Sequence, residues 1–165
     1  MMVYLVRHGI AEDVSATGDD ESRRLTAQGR GRMQKAAAGL RRMGIRPATV
    51  LTSPLVRAAE TAAIIAAAFP GLPAPRDFPA LAPAVPPMET IAALRVFGRY
   101  RELLLVGHQP NLGHVAAVLL TGSPDGLILE LKKGACAALE LSGFVARAGA
   151  VLRWLLPPRA LRQLA

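Results

Sequence analysis

Two hydrophobic rhythms share this chain. Residues 3–6, 49–52 and 102–106 are short, dominated by Val and Leu, and lack polar alternation, the pattern of strands covered on both faces. Longer stretches between them repeat apolar positions every three to four residues. Thr26 is placed to cap a helix running to about Met43 and stopped by Gly44. Arg46-Pro47 marks a turn, and Pro54 occupies the first turn of a helix continuing through Phe69. A shorter helix is predicted over 88–100, and another from Pro110 or Asn111 to near Gly122. Residues 9–24 are polar and read as a loop. The Pro-rich residues 69–87 read as a loop crossing one face of the domain. Beyond Gly122 the period shortens. Residues 127–131 and 135–141 are predicted as two strands joined around Lys133-Gly134, and 150–156 as a further strand. Pro157-Pro158 then leads into a terminal helix over 159–164. Strands alternating with helices predict an α/β fold, a three-layer α/β/α sandwich with a mixed, mostly parallel sheet, in a single domain over 1–165.

Composition narrows this picture. The 165 residues are 52% hydrophobic but only 4% aromatic, so the core is aliphatic. The lone cysteine, Cys136, excludes an internal disulfide and a Cys-based metal site, and its apolar neighbours point to burial. No apolar run reaches the roughly 18 residues needed to span a bilayer. The first residues lack the charged leader and cleavage site of a secretory signal, so a cytoplasmic protein with no membrane partner is expected. The net charge is +8, yet the basic residues are scattered and stacking aromatics are scarce. A nucleic-acid partner is therefore not expected, whereas a basic surface suits an anionic substrate.

Three segments follow the three apolar strands: Arg7-His8-Gly9, Ser53-Pro54-Leu55-Val56-Arg57 and Gly107-His108. Ligand sites in open α/β sheets form beyond the carboxyl ends of strands. Neighbouring strands would bring two histidines and two arginines together there. Arginines match phosphate oxygens with paired planar donors. A neutral imidazole can attack phosphorus and carry it as phosphohistidine. Helices opening after Ser53 and Gly107 would add backbone donors. No metal or other cofactor is called for: His8, His108 and His114 lack ligand spacing, and Arg7 would repel a cation. His114 is read as structural, and Arg30, Arg32 and Lys35 as a solvated helix face.

The Leu5–Gly9 segment, the block from Ser53 to Ala62 and Val106-Gly107-His108 together resemble the histidine phosphatase superfamily, whose fold is phosphoglycerate mutase-like. The likeness runs from Val3 to about Gly122. Arg23-Arg24-Leu25-Thr26 and Gly107-His108-Gln109-Pro110 are similar to segments of its small SixA-like phosphohistidine phosphatases, with Arg24 replacing a proline and Gln109 an asparagine. The resemblance implies that His8 is the phosphorylated nucleophile. Arg7, Arg57 and His108 would complete a phosphate pocket beside Gly9, and Arg23 would be a further phosphate contact. Larger members place a general acid between the second arginine and the second histidine. Asp77, Glu89 and Glu102 fall in that interval, and Glu89, near a helix start, is the candidate. A phosphorylated substrate is the expected partner, either a phosphohistidine protein or a small phosphoester. A module that binds phospho-ligands or nucleic acid without turnover is the competing class.

Overall fold

The computed structural model describes residues 1–142 and 148–165. In chain order it comprises β1 (Met2–Arg7), α1 (Ala27–Arg42), β2 (Thr49–Thr52), α2 (Val56–Ala68), β3 (Arg76–Asp77), α3 (Pro87–Leu94), β4 (Glu102–Gly107), α4 (Asn111–Thr121), β5 (Cys136–Glu140), β6 (Val151–Leu156) and α5 (Pro158–Gln163). The strands form one sheet ordered β3-β2-β4-β1-β5-β6. All pairings from β3 to β1 are parallel, and β5 runs antiparallel to both of its neighbours. The sheet is thus mixed and mostly parallel.

Period-two alternation explains the layers. Val3, Leu5, Leu51, Leu103 and Leu105 turn to one face, where Ile91 and Leu94 of α3 and Leu112, Val115 and Leu119 of α4 cover them. Tyr4, Val6, Val50, Leu104 and Val106 turn to the other, against Met33 and Leu40 of α1, Ala58 and Ile65 of α2 and Leu161 of α5. Cys136 is fully buried there, and burial pushes its thiol well above the ordinary range. No helix among the described residues is long and apolar enough to cross a membrane.

Three expectations shift. Residues 127–131 are not a strand. Leu129 and Leu131 are buried and Ile128 and Glu130 exposed, as the alternation requires. However, β4 and β5 occupy both edges of β1, and the segment finds no ladder partner. Its carbonyls accept from side chains instead: Leu129 from Gln109 Nε2 and Leu131 from Arg7 Nη1. The Pro-rich loop contains the two-residue β3, paired with β2 at Leu51 and Thr52. The helix expected over 88–100 ends at Leu94 and passes into a 3₁₀ turn, Arg95–Phe97.

Candidate active site

The three chemical segments leave adjacent strands. Arg7 stands opposite Gly107 in the β1–β4 register, and Thr52 opposite Val106 in the β2–β4 register. Backbone bonds extend both pairings one residue further, His8 N–H donating to Gly107 O (3.0 Å) and Ser53 N–H to Val106 O (3.0 Å). His8, Ser53 and His108 therefore sit side by side at the carboxyl edge of the sheet, with the imidazole centroids of His8 and His108 5.0 Å apart.

His8 is 6% exposed. Its Nδ1 lies 2.7 Å from Gly9 O. A carbonyl only accepts, so Nδ1 carries the proton and donates, and the lone pair of Nε2 is free. Burial holds the ring's pKa down to about 4, against an ordinary 6.5, and the charges of Arg57, Arg7 and Lys133 act in the same direction. His8 is thus neutral at physiological pH, with Nε2 nucleophilic.

His108 is also buried, and burial followed by the proximity of His8 lowers its pKa to about 3. Its Nε2 is hydrogen-bonded to Ser53 Oγ at 2.8 Å, while its Nδ1 is buried with no partner. Arg57, on the first turn of α2, is 4% exposed, and Arg7 extends from the end of β1. Nε of each arginine is likewise buried and unpaired. Buried polar groups are almost always satisfied. The charges of Arg7 and Arg57 bear on both imidazoles, so these unpaired nitrogens lie near a neutral histidine, and an acceptor-rich group such as a phosphate dianion would suit them.

Around this centre the structure places the other expected residues differently. Gly9 donates its amide to Thr61 Oγ1 (3.0 Å), and Thr61 in turn donates to Arg57 O (2.7 Å). Gly9 therefore aligns His8 and ties β1 to α2, and its N–H is not free for phosphate. A Cβ at Gly9 would lie 2.7 Å from Met33 Cγ, which explains the glycine. Arg23 is half-buried and meets the pocket through a carboxylate: its Nε donates to Asp20 Oδ1 (2.8 Å), and Asp20 Oδ2 accepts from Arg57 Nη2 (2.8 Å). Arg57 Nη1 donates to Asp20 O at 2.6 Å. The loop is pinned further by Val56 N–H to Glu21 O (3.1 Å), so one amide of the α2 start is already used. Glu60 secures the same loop, accepting from Leu25 N–H and pairing with Arg30 of α1.

Two of the three candidate carboxylates of the 57–108 interval are placed by the sheet, and the third by α3. Glu102 begins β4, at the opposite end of the sheet, and accepts from the Tyr4 hydroxyl and Arg46 N–H. Asp77 lies on β3, separated from β1 by two strands. Glu89 is exposed on the first turn of α3, and its side chain has no hydrogen bond or ion pair among the described residues. Sequence reasoning passed over Ser53, Thr61 and Asp20 as individual site groups. Ser53 and Thr61 lie inside the conspicuous 53–62 block, and Asp20 sits three residues before Arg23. Those placements were the available signals.

The chain resembles known proteins in sequence and in fold. The family model described as the histidine phosphatase superfamily (branch 1) matches residues 3–77. An uncharacterized protein of Picosynechococcus is 40% identical over 142 residues, covering 85% of each chain. The structure of the protein histidine phosphatase SixA complexed with tungstate is similar at a TM-score of 0.86, with 24% identity over 98% of this chain and 99% of that one. The putative phosphohistidine phosphatase SixA of Nakamurella multipartitia shares 26% identity at a TM-score of 0.69, covering 95% of each chain. A putative α-ribazole-5'-P phosphatase of Escherichia coli gives 0.71 at 20% identity, over 96% of this chain and 97% of that one. The chain belongs to the histidine phosphatase superfamily, has the phosphoglycerate mutase-like α/β fold of its SixA neighbours, and resembles structures that are themselves phosphatases.

Proposed function

We propose that the chain is a cytoplasmic, metal-independent phosphatase that takes a phosphoryl group onto Nε2 of His8 and then hydrolyses it, with phosphohistidine on a protein as substrate. The observation that carries this reading is the proximity of buried Arg57 and His108, and of Arg7, to a neutral His8, each with a side-chain nitrogen that has no partner. Transfer of a phosphoryl group spreads charge over its equatorial oxygens, and fixed donors at those positions stabilise it. Two guanidinium groups supply the positive charge that a metal would otherwise bring. His108, oriented by Ser53, supplies a further donor when the Ser53 hydroxyl donates to Nε2 and leaves Nδ1–H free.

A protein substrate is favoured by the ground beside His108. A cleft of about 310 Å³ opens there, lined by Gln109, His114, Leu127 and Leu129 among others, and the neighbouring Ile128 is 96% exposed. An apolar projection beside a reactive site suits contact with another protein surface. The likeness to α-ribazole phosphatase structures favours a second reading, a small phosphomonoester. Rates on a phosphohistidine protein and on a phosphoester panel, measured side by side, separate the two. His8→Ala should abolish turnover of both while the protein stays folded. Turnover retained in that variant would refute the nucleophile. Phosphate binding without turnover in the wild type would favour a non-catalytic module.

A further inference from the structure

No carboxylate of the 57–108 interval is hydrogen-bonded or ion-paired to Arg7, His8, Arg57 or His108 among the described residues. We infer that Asp20, on the loop after β1, is the group that protonates the leaving atom, an inference that rests on His8 being the nucleophile.

Among the described residues, Asp20 carries the only carboxylate ion-paired with a pocket arginine. Its position fits an in-line reaction. His8 is buried, so it attacks phosphorus from the sheet side, and the leaving atom must face the mouth of the pocket. Asp20 stands at that mouth. Its side chain is 61% exposed, while the Arg57 side chain it bonds is 5% exposed. A phosphoryl oxygen held by the Arg57 guanidinium would lie beside the carboxylate that this guanidinium now holds. The Asp20 charge also bears on His108, so the carboxylate that bonds Arg57 lies near the second imidazole as well.

The empty site keeps Asp20 ionised. Hydrogen bonds from Arg57 and then Arg23 hold its carboxyl below the ordinary range. An arriving phosphate takes Arg57 donors for itself and sets a dianion against the carboxylate. Both changes raise the proton affinity of Asp20. The substrate thereby converts a carboxylate that occupies its site into an acid beside its leaving group.

The electron count closes. The Nε2 lone pair of His8 forms the N–P bond, and the bond from phosphorus to the leaving atom breaks. Its electron pair stays on that atom, which receives the proton that Asp20 takes up from solvent as the substrate binds. In the second half, water forms a P–O bond and gives a proton to Asp20, and the N–P pair returns to Nε2.

Asp20→Asn tests this, because the amide keeps an acceptor oxygen for Arg57 but cannot donate a carboxyl proton. On phenyl phosphate, whose leaving group needs a proton, kcat should fall about 10²- to 10⁴-fold. On 2,4-dinitrophenyl phosphate, whose leaving group departs as an anion, kcat should fall by less than about tenfold. Inorganic phosphate should inhibit the variant at least as tightly as the wild type, since a competing carboxylate is gone. Equal losses on both esters would overturn the inference. So would unchanged kcat on phenyl phosphate with tighter phosphate inhibition, which would leave Asp20 as an occupant of the empty site only. Weaker phosphate inhibition by tenfold or more would overturn it too, assigning Asp20 to holding Arg57 in place. Wild-type activity lost in His8→Ala but intact in Asp20→Asn removes this inference alone. Activity intact in His8→Ala removes the nucleophile reading and this inference with it.

Discussion

Lowering the pH from 7 to 4 should destabilise the protein through His8. In the folded chain burial holds this imidazole at about 4, with Arg57, Arg7 and Lys133 acting in the same sense and only the Gly9 carbonyl opposing. In the unfolded chain it returns to the ordinary 6.5. Between those values the unfolded state binds a proton that the folded state does not. The stability contributed by neutral His8 is therefore fully present above about 6.5 and is lost as pH falls towards 4. At 1.36 kcal/mol for each pH unit, the loss reaches about 3 kcal/mol at pH 4. That is a large part of the roughly 5–15 kcal/mol of a typical domain. His108, held at about 3, adds a loss of the same sign that extends lower. Urea unfolding followed by Trp154 fluorescence at pH 7 and pH 4, for wild type and His8→Gln, measures the difference. The wild type should lose about 3 kcal/mol more than the variant. Parallel losses, or an NMR titration of His8 centred near its ordinary value, would refute the reasoning. The same depression keeps Nε2 unprotonated across physiological pH, so the two experiments also test whether the nucleophile is ready before substrate arrives.

Ser53→Ala removes the buried hydroxyl 2.8 Å from His108 Nε2 and should lower kcat roughly ten- to hundredfold, read in steady-state phosphatase assays. Thr61→Val leaves the Gly9 amide without its acceptor, which should cost about 1–3 kcal/mol in urea unfolding and speed hydrogen exchange at Gly9. Gly9→Ala drives a methyl against Met33 Cγ at 2.7 Å and should destabilise by about 1–3 kcal/mol, with activity falling because the carbonyl that orients His8 must shift.

Much of the fold was legible because each central strand is covered on both faces. Residues 49–52 and 102–106 announce themselves by their apolar runs, and Thr26 caps α1 as expected, accepting from Gly29 N–H. Residues 127–131 show where that logic stops. From Ile128 to Leu131 the alternation separates buried from exposed side chains, but alternation does not state whether a neighbouring strand edge is vacant. That depends on β5, which arrives later in the chain and takes the edge beside β1. The site divides in the same way. Arg7, His8, Arg57 and His108 were readable because each follows a recognisable strand, and strand exits converge by topology. Asp20 was not, because it sits in a polar loop whose path over α2 is fixed by Glu60 and by the Val56 amide, contacts between residues 35 positions apart in both cases. The Leu25–Glu60 bond is among side chains and backbone that periodicity does not describe.

The charge of the pocket ties binding to reactivity. Arginine cannot release its proton under these conditions, so Arg7 and Arg57 bring two fixed cations to the place where two imidazoles are buried. The imidazoles yield instead and remain neutral, as the lowered pKa of each reflects. Burial is the larger cause, and the charges of Arg57 and Arg7 add to it in the same direction. Once Nε2 is phosphorylated, the ring keeps its Nδ1 proton, because the Gly9 carbonyl can only accept. Phosphorylated His8 is consequently an imidazolium held among arginines, a cation whose N–P bond is weakened and whose departure restores a neutral ring. Capture of the phosphoryl group is favoured by its own negative charge against Arg7 and Arg57, and its release to water is favoured by relieving the positive charge on His8. On the proposed mechanism, one backbone carbonyl thus selects Nε2 for attack and favours breakdown of the intermediate.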